Sequence, residues 1–214
     1  MVIYGGFMSD TVVTPNLEIG AAIREGIAIG TKNIGPILVN VLLWVLTIWI
    51  PYLNVGTTIA LSAGIAAKAS RGEVIPMTEI FDPKYRKRMG EYFLVCGFIM
   101  IGVGAGMALF IIPGIVISLA WSLAILLVID KGKNPIEAIT ISNNCTYGNK
   151  LKMAVIYFGT ALVFTIVQII LSVIGVAADA AGFLGFIVFL TIIFEIFVFV
   201  GLQASVYKQL TAGI

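Results

Sequence analysis

Two long stretches without a charged side chain constrain this chain more than any other feature. Residues 33–67, between Lys32 and Lys68, hold no Asp, Glu, Lys or Arg, and neither do residues 92–129, between Glu91 and Asp130. As unbroken helices they would measure about 52 and 57 Å at a rise of ~1.5 Å per residue, against a hydrocarbon core of about 30 Å. Each therefore has to fold back on itself. Each carries a breaker near its middle, Pro51-Tyr52-Leu53-Asn54 in the first and Pro113-Gly114 in the second, and proline interrupts a helix that reaches it. The chain is 60% apolar and 11% charged, where soluble domains carry about 25% charged residues. It reads as an all-α, polytopic transmembrane bundle with no separate soluble domain.

These breaks predict helices over 34–50, 55–69, 92–111 and 115–129. A fifth span covers 153–174, and after a turn around Asp179 and Gly182 a sixth covers 185–206, interrupted by Glu195. The six form three hairpins, preceded by residues 1–33 and followed by a tail, 209–214. The first two are short enough that one could be re-entrant instead. All 13 lysines and arginines then fall on one side: at 24–32, 68–88, 131–152 and Lys208. The positive-inside rule places that side, and both termini, in the cytoplasm. The expected location is a bacterial or archaeal plasma membrane, and residues 1–33 have no cleavable-leader pattern.

Three cytoplasmic segments look helical. The first starts at Thr14-Pro15; Ile19, Ile23 and Ile27 line one face beside Ala22 and Gly26, while Glu18, Glu25 and Lys32 recur opposite. It reads equally as a helix in the headgroup region or as one packed on the bundle. The second, Pro76 to Met89, contains Lys84, Arg86, Lys87 and Arg88, which attract anionic lipid or serve only as topology determinants. In the third, Asn134-Pro135-Ile136-Glu137 has the pattern of a capped helix start, and Gly148 that of a left-handed stop.

Ile50-Pro51 and Ile112-Pro113 recur 62 residues apart, and Arg71-Gly72-Glu73 and Lys131-Gly132-Lys133 recur at an offset of 60. These stretches, with Asn54, Gly114, Asp130, Pro135-Ile136-Glu137-Ala138 and Gly148-Asn149-Lys150, carry a resemblance. The chain resembles a family of six-helix bacterial and archaeal membrane proteins related to the membrane domain of glycerophosphoryl diester phosphodiesterases. The resemblance implies a six-helix bundle and a membrane-embedded role. It does not imply phosphodiesterase chemistry, which in the linked enzymes belongs to a separate soluble domain.

Chemistry is scarce. Histidine is absent, and Cys96 and Cys145 form neither a disulfide framework nor a zinc site. No cofactor or metal is expected, and a net charge of +2 argues against nucleic acid. Glu195 is the one ionisable residue deep within a span, where a bare carboxylate is costly. It should face the interior, take a proton or meet a polar neighbour, for which Asn40, Ser118, Ser122 and Gln168 are the candidates. Gly56, Ala60 and Gly64, and likewise Gly102 and Gly106, recur every fourth residue and make flat strips for helix packing. Membrane lipid, self-association or a membrane-protein partner are the expected contacts. Three functions stay open: a non-enzymatic membrane protein acting by packing, lipid contact or partner assembly; a small transporter or channel using Glu195 as its ion or proton site; and a membrane enzyme acting on lipid.

Overall fold

A computed structural model describes residues 15–178 and 180–214; Thr14 and Asp179, expected at a helix start and a turn, lie outside the described residues. Those residues form helices joined by short turns, with no strand among them. In order they are α1 (Ile19–Lys32), α2 (Ile34–Thr47), α3 (Pro51–Ile59), α4 (Ile65–Ser70), α5 (Pro83–Lys87), α6 (Met89–Leu109), α7 (Ile111–Trp121), α8 (Ala124–Lys131), α9 (Pro135–Thr146), α10 (Lys150–Ala177) and α11 (Ala181–Leu210). A π-helical turn, Ala60–Gly64, joins α3 to α4. Four stretches are long and apolar enough to cross a membrane: Met89–Leu109, Ile111–Lys131, Lys150–Ala177 and Gly182–Leu210. A fifth is reached if α1 and α2, bent by 67° at Asn33, count as one span. That bend has a local cause, because Pro36 has no N–H to offer the preceding turn.

Of the two expected breakers, Pro51 acts where it stands, whereas the second break falls at Phe110, before Pro113-Gly114, because proline is tolerated in the first turn of α7. Pro51 is the first residue of α3, a position where its missing N–H costs nothing. Phe110, in extended conformation, separates α6 from α7. Gly72 and Gly132 both end helices with positive φ, 71° and 67°, so the two related tripeptides share a left-handed cap that suits glycine. The irregular turns also correspond: the π turn contains Ser62, and the break between α7 and α8 falls at Ser122-Leu123.

The first helix starts later than the sequence pattern indicates, at Ile19 rather than Pro15. Asn149 is the reason. Its Oδ1 accepts from the Leu17 N–H at 3.0 Å and its Nδ2 donates to the Pro15 carbonyl at 2.6 Å, which holds this segment extended. From there α1 runs antiparallel to the C-terminal half of α11. The Glu18 N–H meets Gln209 Oε1 at 3.2 Å, and Glu25 pairs with Lys208 at 2.5 Å and Ser205 at 2.9 Å. Of the two readings of this helix, packing on the bundle is the one seen. The buried stripe is Ala22, Gly26 and Gly30, while Ile27 is exposed. Small residues win that face because the α11 backbone lies directly against it: a Cβ on Gly26 would stand 2.9 Å from the Leu202 Cα, one on Gly30 would strike the Phe197 carbonyl, and one on Gly201 the Gly26 carbonyl.

Two apolar cores flank α11. Val198, Leu202, Val206 and Leu210 join one with α1, α8, α9 and the start of α10; Phe197 and Ala204 join the other with Ile37, Ile59, Ile65 and Tyr85. The break between α7 and α8 frees backbone groups that α9 takes up. Ser142 Oγ accepts from the Leu123 N–H at 3.2 Å and donates to the Ala120 carbonyl at 2.7 Å, and Thr146 Oγ1 donates to that same carbonyl at 3.3 Å. So α9, capped by Asn134 as its sequence pattern indicates, packs with Ala138, Ser142 and Thr146 fully buried.

A side chain placed at the α1–α11 crossing has nowhere to go, whereas Gly104 on α6 faces open space. Gly201→Leu is expected to lower the detergent melting temperature, with overpacking costing about 1–3 kcal/mol. Gly104→Leu should melt like the parent. Equal melting of the two variants would show that the helices do not cross this closely.

Candidate functional site

Glu195 sits halfway along α11 and half-buried. Gln168, on the neighbouring α10, donates from Nε2 to Glu195 Oε2 at 3.0 Å. The carboxyl lines a cleft of about 580 Å³ whose walls come from α10, α11 and the break between α7 and α8. Tyr157 and Phe199 both line it, with ring centroids 6.5 Å apart and planes 17° from parallel. Ser122 and Gln203 add polar groups, and Ile192, Ile196 and Val200 make the rest apolar. Glu195, Phe199 and Gln203 recur every fourth residue, so they share one face of α11. Among the described residues no lysine or arginine pairs with Glu195.

The structure brings together only some of the residues expected there. Ser122 lines the cleft, and Gln168 reaches the Glu195 carboxyl. The Ser122 hydroxyl, however, donates to the Leu119 carbonyl at 2.9 Å, and that of Ser118 to the Ile115 carbonyl at 2.8 Å. Asn40 is elsewhere: fully buried, it donates to the Pro76 carbonyl at 2.9 Å and accepts from the Ile80 N–H at 3.0 Å. Its amide fastens the 71–88 loop instead of a carboxyl, because that loop folds back along α3 and offers unpaired backbone groups. Tyr157, Phe199 and Gln203 were not expected. The four-residue spacing from Glu195 is the signal that marks the last two.

The glycine strips divide in the same way. A Cβ added to Gly106 would stand 2.9 Å from the Gly114 Cα and one on Gly102 would strike the Trp121 indole, both within the α6–α7 pair. A Cβ added to Gly56 would stand 2.6 Å from Arg86 Cγ and one on Gly64 would strike the Tyr85 ring, both side chains of α5, and Ala60 is buried between them. The basic cluster is correspondingly engaged: Arg86 also stacks over Tyr52, the Arg88 guanidinium lies on Gly132, and only Lys84 and Lys87 are exposed.

A second polar centre, not foreseen in the sequence, anchors this loop. Glu79 has a side chain only 2% exposed. It accepts from Lys68 at 2.6 Å, Lys84 at 2.8 Å and the Tyr85 hydroxyl at 2.5 Å. Close by, Arg71 pairs with Asp130, which also accepts from the Tyr207 hydroxyl at 2.9 Å. Burial alone would raise the Glu79 pKa, but the three hydrogen bonds together outweigh it and hold the carboxyl below its ordinary 4.5. Burial and the adjacent Glu79 push the Tyr85 phenol upward, so it stays a donor. Each acid of this group is paired with at least one base, which makes it a structural lock. No family model matches the chain, nor does any curated protein or solved structure.

A carboxyl whose pKa is depressed on folding stabilises the fold fully above its ordinary value, and that contribution is lost as pH falls through the folded-state value. Stability in detergent should therefore decline as pH drops below about 4.5. Glu79→Gln should cost about 3 kcal/mol at neutral pH, as expected for breaking a buried pair, and should flatten the acid decline. An unchanged acid profile in Glu79→Gln would assign the decline to other carboxyls.

Proposed function

We propose that this chain is a non-enzymatic polytopic integral membrane protein that acts by contact within the bilayer, receiving a lipid chain or an apolar partner in the cleft beside Glu195. The supporting observation is that cleft itself, about 580 Å³ of mostly apolar lining among helices whose outer halves expose Val163, Ile166, Phe186 and Phe189. Pockets of this size suit small molecules or chain segments, at roughly 300–1,000 Å³. A lipid-directed enzyme fits less well, since among the described residues no base approaches Ser122 and its hydroxyl is already bonded. The small-transporter reading draws on one specific feature, the Glu195 carboxyl in the cleft wall, and differs in requiring net movement of an ion or proton.

For topology we adopt six spans with both termini in the cytoplasm of a bacterial or archaeal plasma membrane. The segregation of all 13 bases supports this. Arg86 of the basic loop touches Tyr52 near the tip of the α2–α3 hairpin, a contact that a re-entrant α2–α3 pair, the alternative to two full spans there, would make. The resemblance to membrane domains of glycerophosphoryl diester phosphodiesterases agrees with a bundle that works without a soluble domain. Anionic headgroups are the proposed neighbours of Lys84 and Lys87, and self-association or a membrane-protein partner remains part of the proposal.

Two measurements test these readings in a variant lacking Cys96 and Cys145. Single cysteines at Asn54 and Gly114 should react with an impermeant thiol reagent outside intact cells, and those at Arg71 and Lys133 should not; protection at Asn54 alone would make α2–α3 re-entrant. A bimane on Ser122→Cys should be quenched by brominated-chain phospholipid in nanodiscs. Absence of quenching there would close the cleft to lipid and remove the basis of the proposed function.

A further inference from the structure

Resting on the reading of the cleft as a binding site, we infer that its ligand class is a monovalent organic cation bearing apolar groups. Charge is the first reason. Glu195 is the only acidic or basic residue lining the cleft, and its one hydrogen bond, from Gln168 to Oε2, leaves Oε1 without a donor among the described residues. Among the described residues no lysine or arginine faces this carboxyl, so a cationic ligand is the charge that complements it.

Aromatic geometry is the second reason. Tyr157 and Phe199 lie side by side in the same wall as Glu195, with nearly parallel rings. Ring faces attract cations through their quadrupole, and weakly hydrated organic cations most readily. The third reason is size. A proton or metal ion needs no cavity, whereas about 580 Å³ bounded by Ile196 and other aliphatic side chains accommodates a hydrophobic body around the charge. The carboxyl fixes the charged centre, the rings flank it, and the aliphatic wall takes the substituents. A phosphate or other anion is disfavoured by the same carboxylate.

Tetraphenylphosphonium serves as the probe and triphenylphosphine oxide as its uncharged counterpart. With the full-length chain in detergent, scintillation-proximity binding of radiolabelled tetraphenylphosphonium should be saturable, near one per chain. Glu195→Gln should weaken it at least tenfold and Phe199→Leu several-fold, with melting temperatures close to the parent. On the parent protein alone, the uncharged compound should compete at least tenfold less well than unlabelled cation, which decides the charge claim even if a variant misfolds. Absence of saturable binding, equal competition by the uncharged compound, or undiminished binding by folded Glu195→Gln would each overturn the inference. Equal competition would leave the cleft a binding site for neutral apolar molecules; failure of lipid quenching at residue 122 would remove the cleft reading itself.

Discussion

The contact between the backbones of α1 and α11 sets the position of almost everything else. Gly26 and Gly30 on one helix and Gly201 on the other leave no room for side chains, so carbonyls and α-carbons meet directly. Helices this close gain dispersion over their whole shared length. The ion pair of Glu25 with Lys208 holds the register at the edge. Because α11 contributes to both apolar cores, fixing it against α1 orients the two cores relative to each other.

Polar interactions concentrate at one end of the molecule. Asn149 holds the segment before α1, Asn40 holds the returning loop, Glu79 gathers two lysines and a tyrosine, and Asp130 ties Arg71 to Tyr207. Each is a buried or largely buried group whose polar atoms find partners, Glu79 nearby in sequence and the others farther along the chain, the arrangement that makes burial of polar atoms tolerable. At the opposite end the helices carry exposed apolar side chains and few cross-links. A structure fastened at one end and looser at the other naturally leaves a cleft between its helix pairs, and Glu195 stands in its wall.

The cleft was partly legible. A lone carboxyl in an apolar run marks itself, and Gln168 is the nearest long polar side chain on the preceding span. Phe199 and Gln203 follow at helical spacing but look ordinary, one as a packing residue and the other as a polar end. Asn40 was misplaced because an amide in an apolar helix looks like a partner for any buried charge. Its true partners are backbone groups of a loop, and backbone groups carry no sequence signature.

Hydropathy and charge determined by themselves that the chain is helical, that several of its helices are apolar enough for a bilayer and roughly where its hairpins turn, because those outcomes depend on local chain chemistry and on the solvent. The caps at Pro51, Gly72, Gly132 and Asn134 are local for the same reason. Tertiary structure alone decided that Ala22, Gly26 and Gly30, not the isoleucines, form the buried face of α1, and that Gly56 and Gly64 receive the side chains of Arg86 and Tyr85. It also decided that Tyr157 stacks on Phe199 beside Glu195. These are pairings between surfaces far apart in the chain, and which small residue meets which backbone depends on shape in three dimensions, which no periodicity encodes.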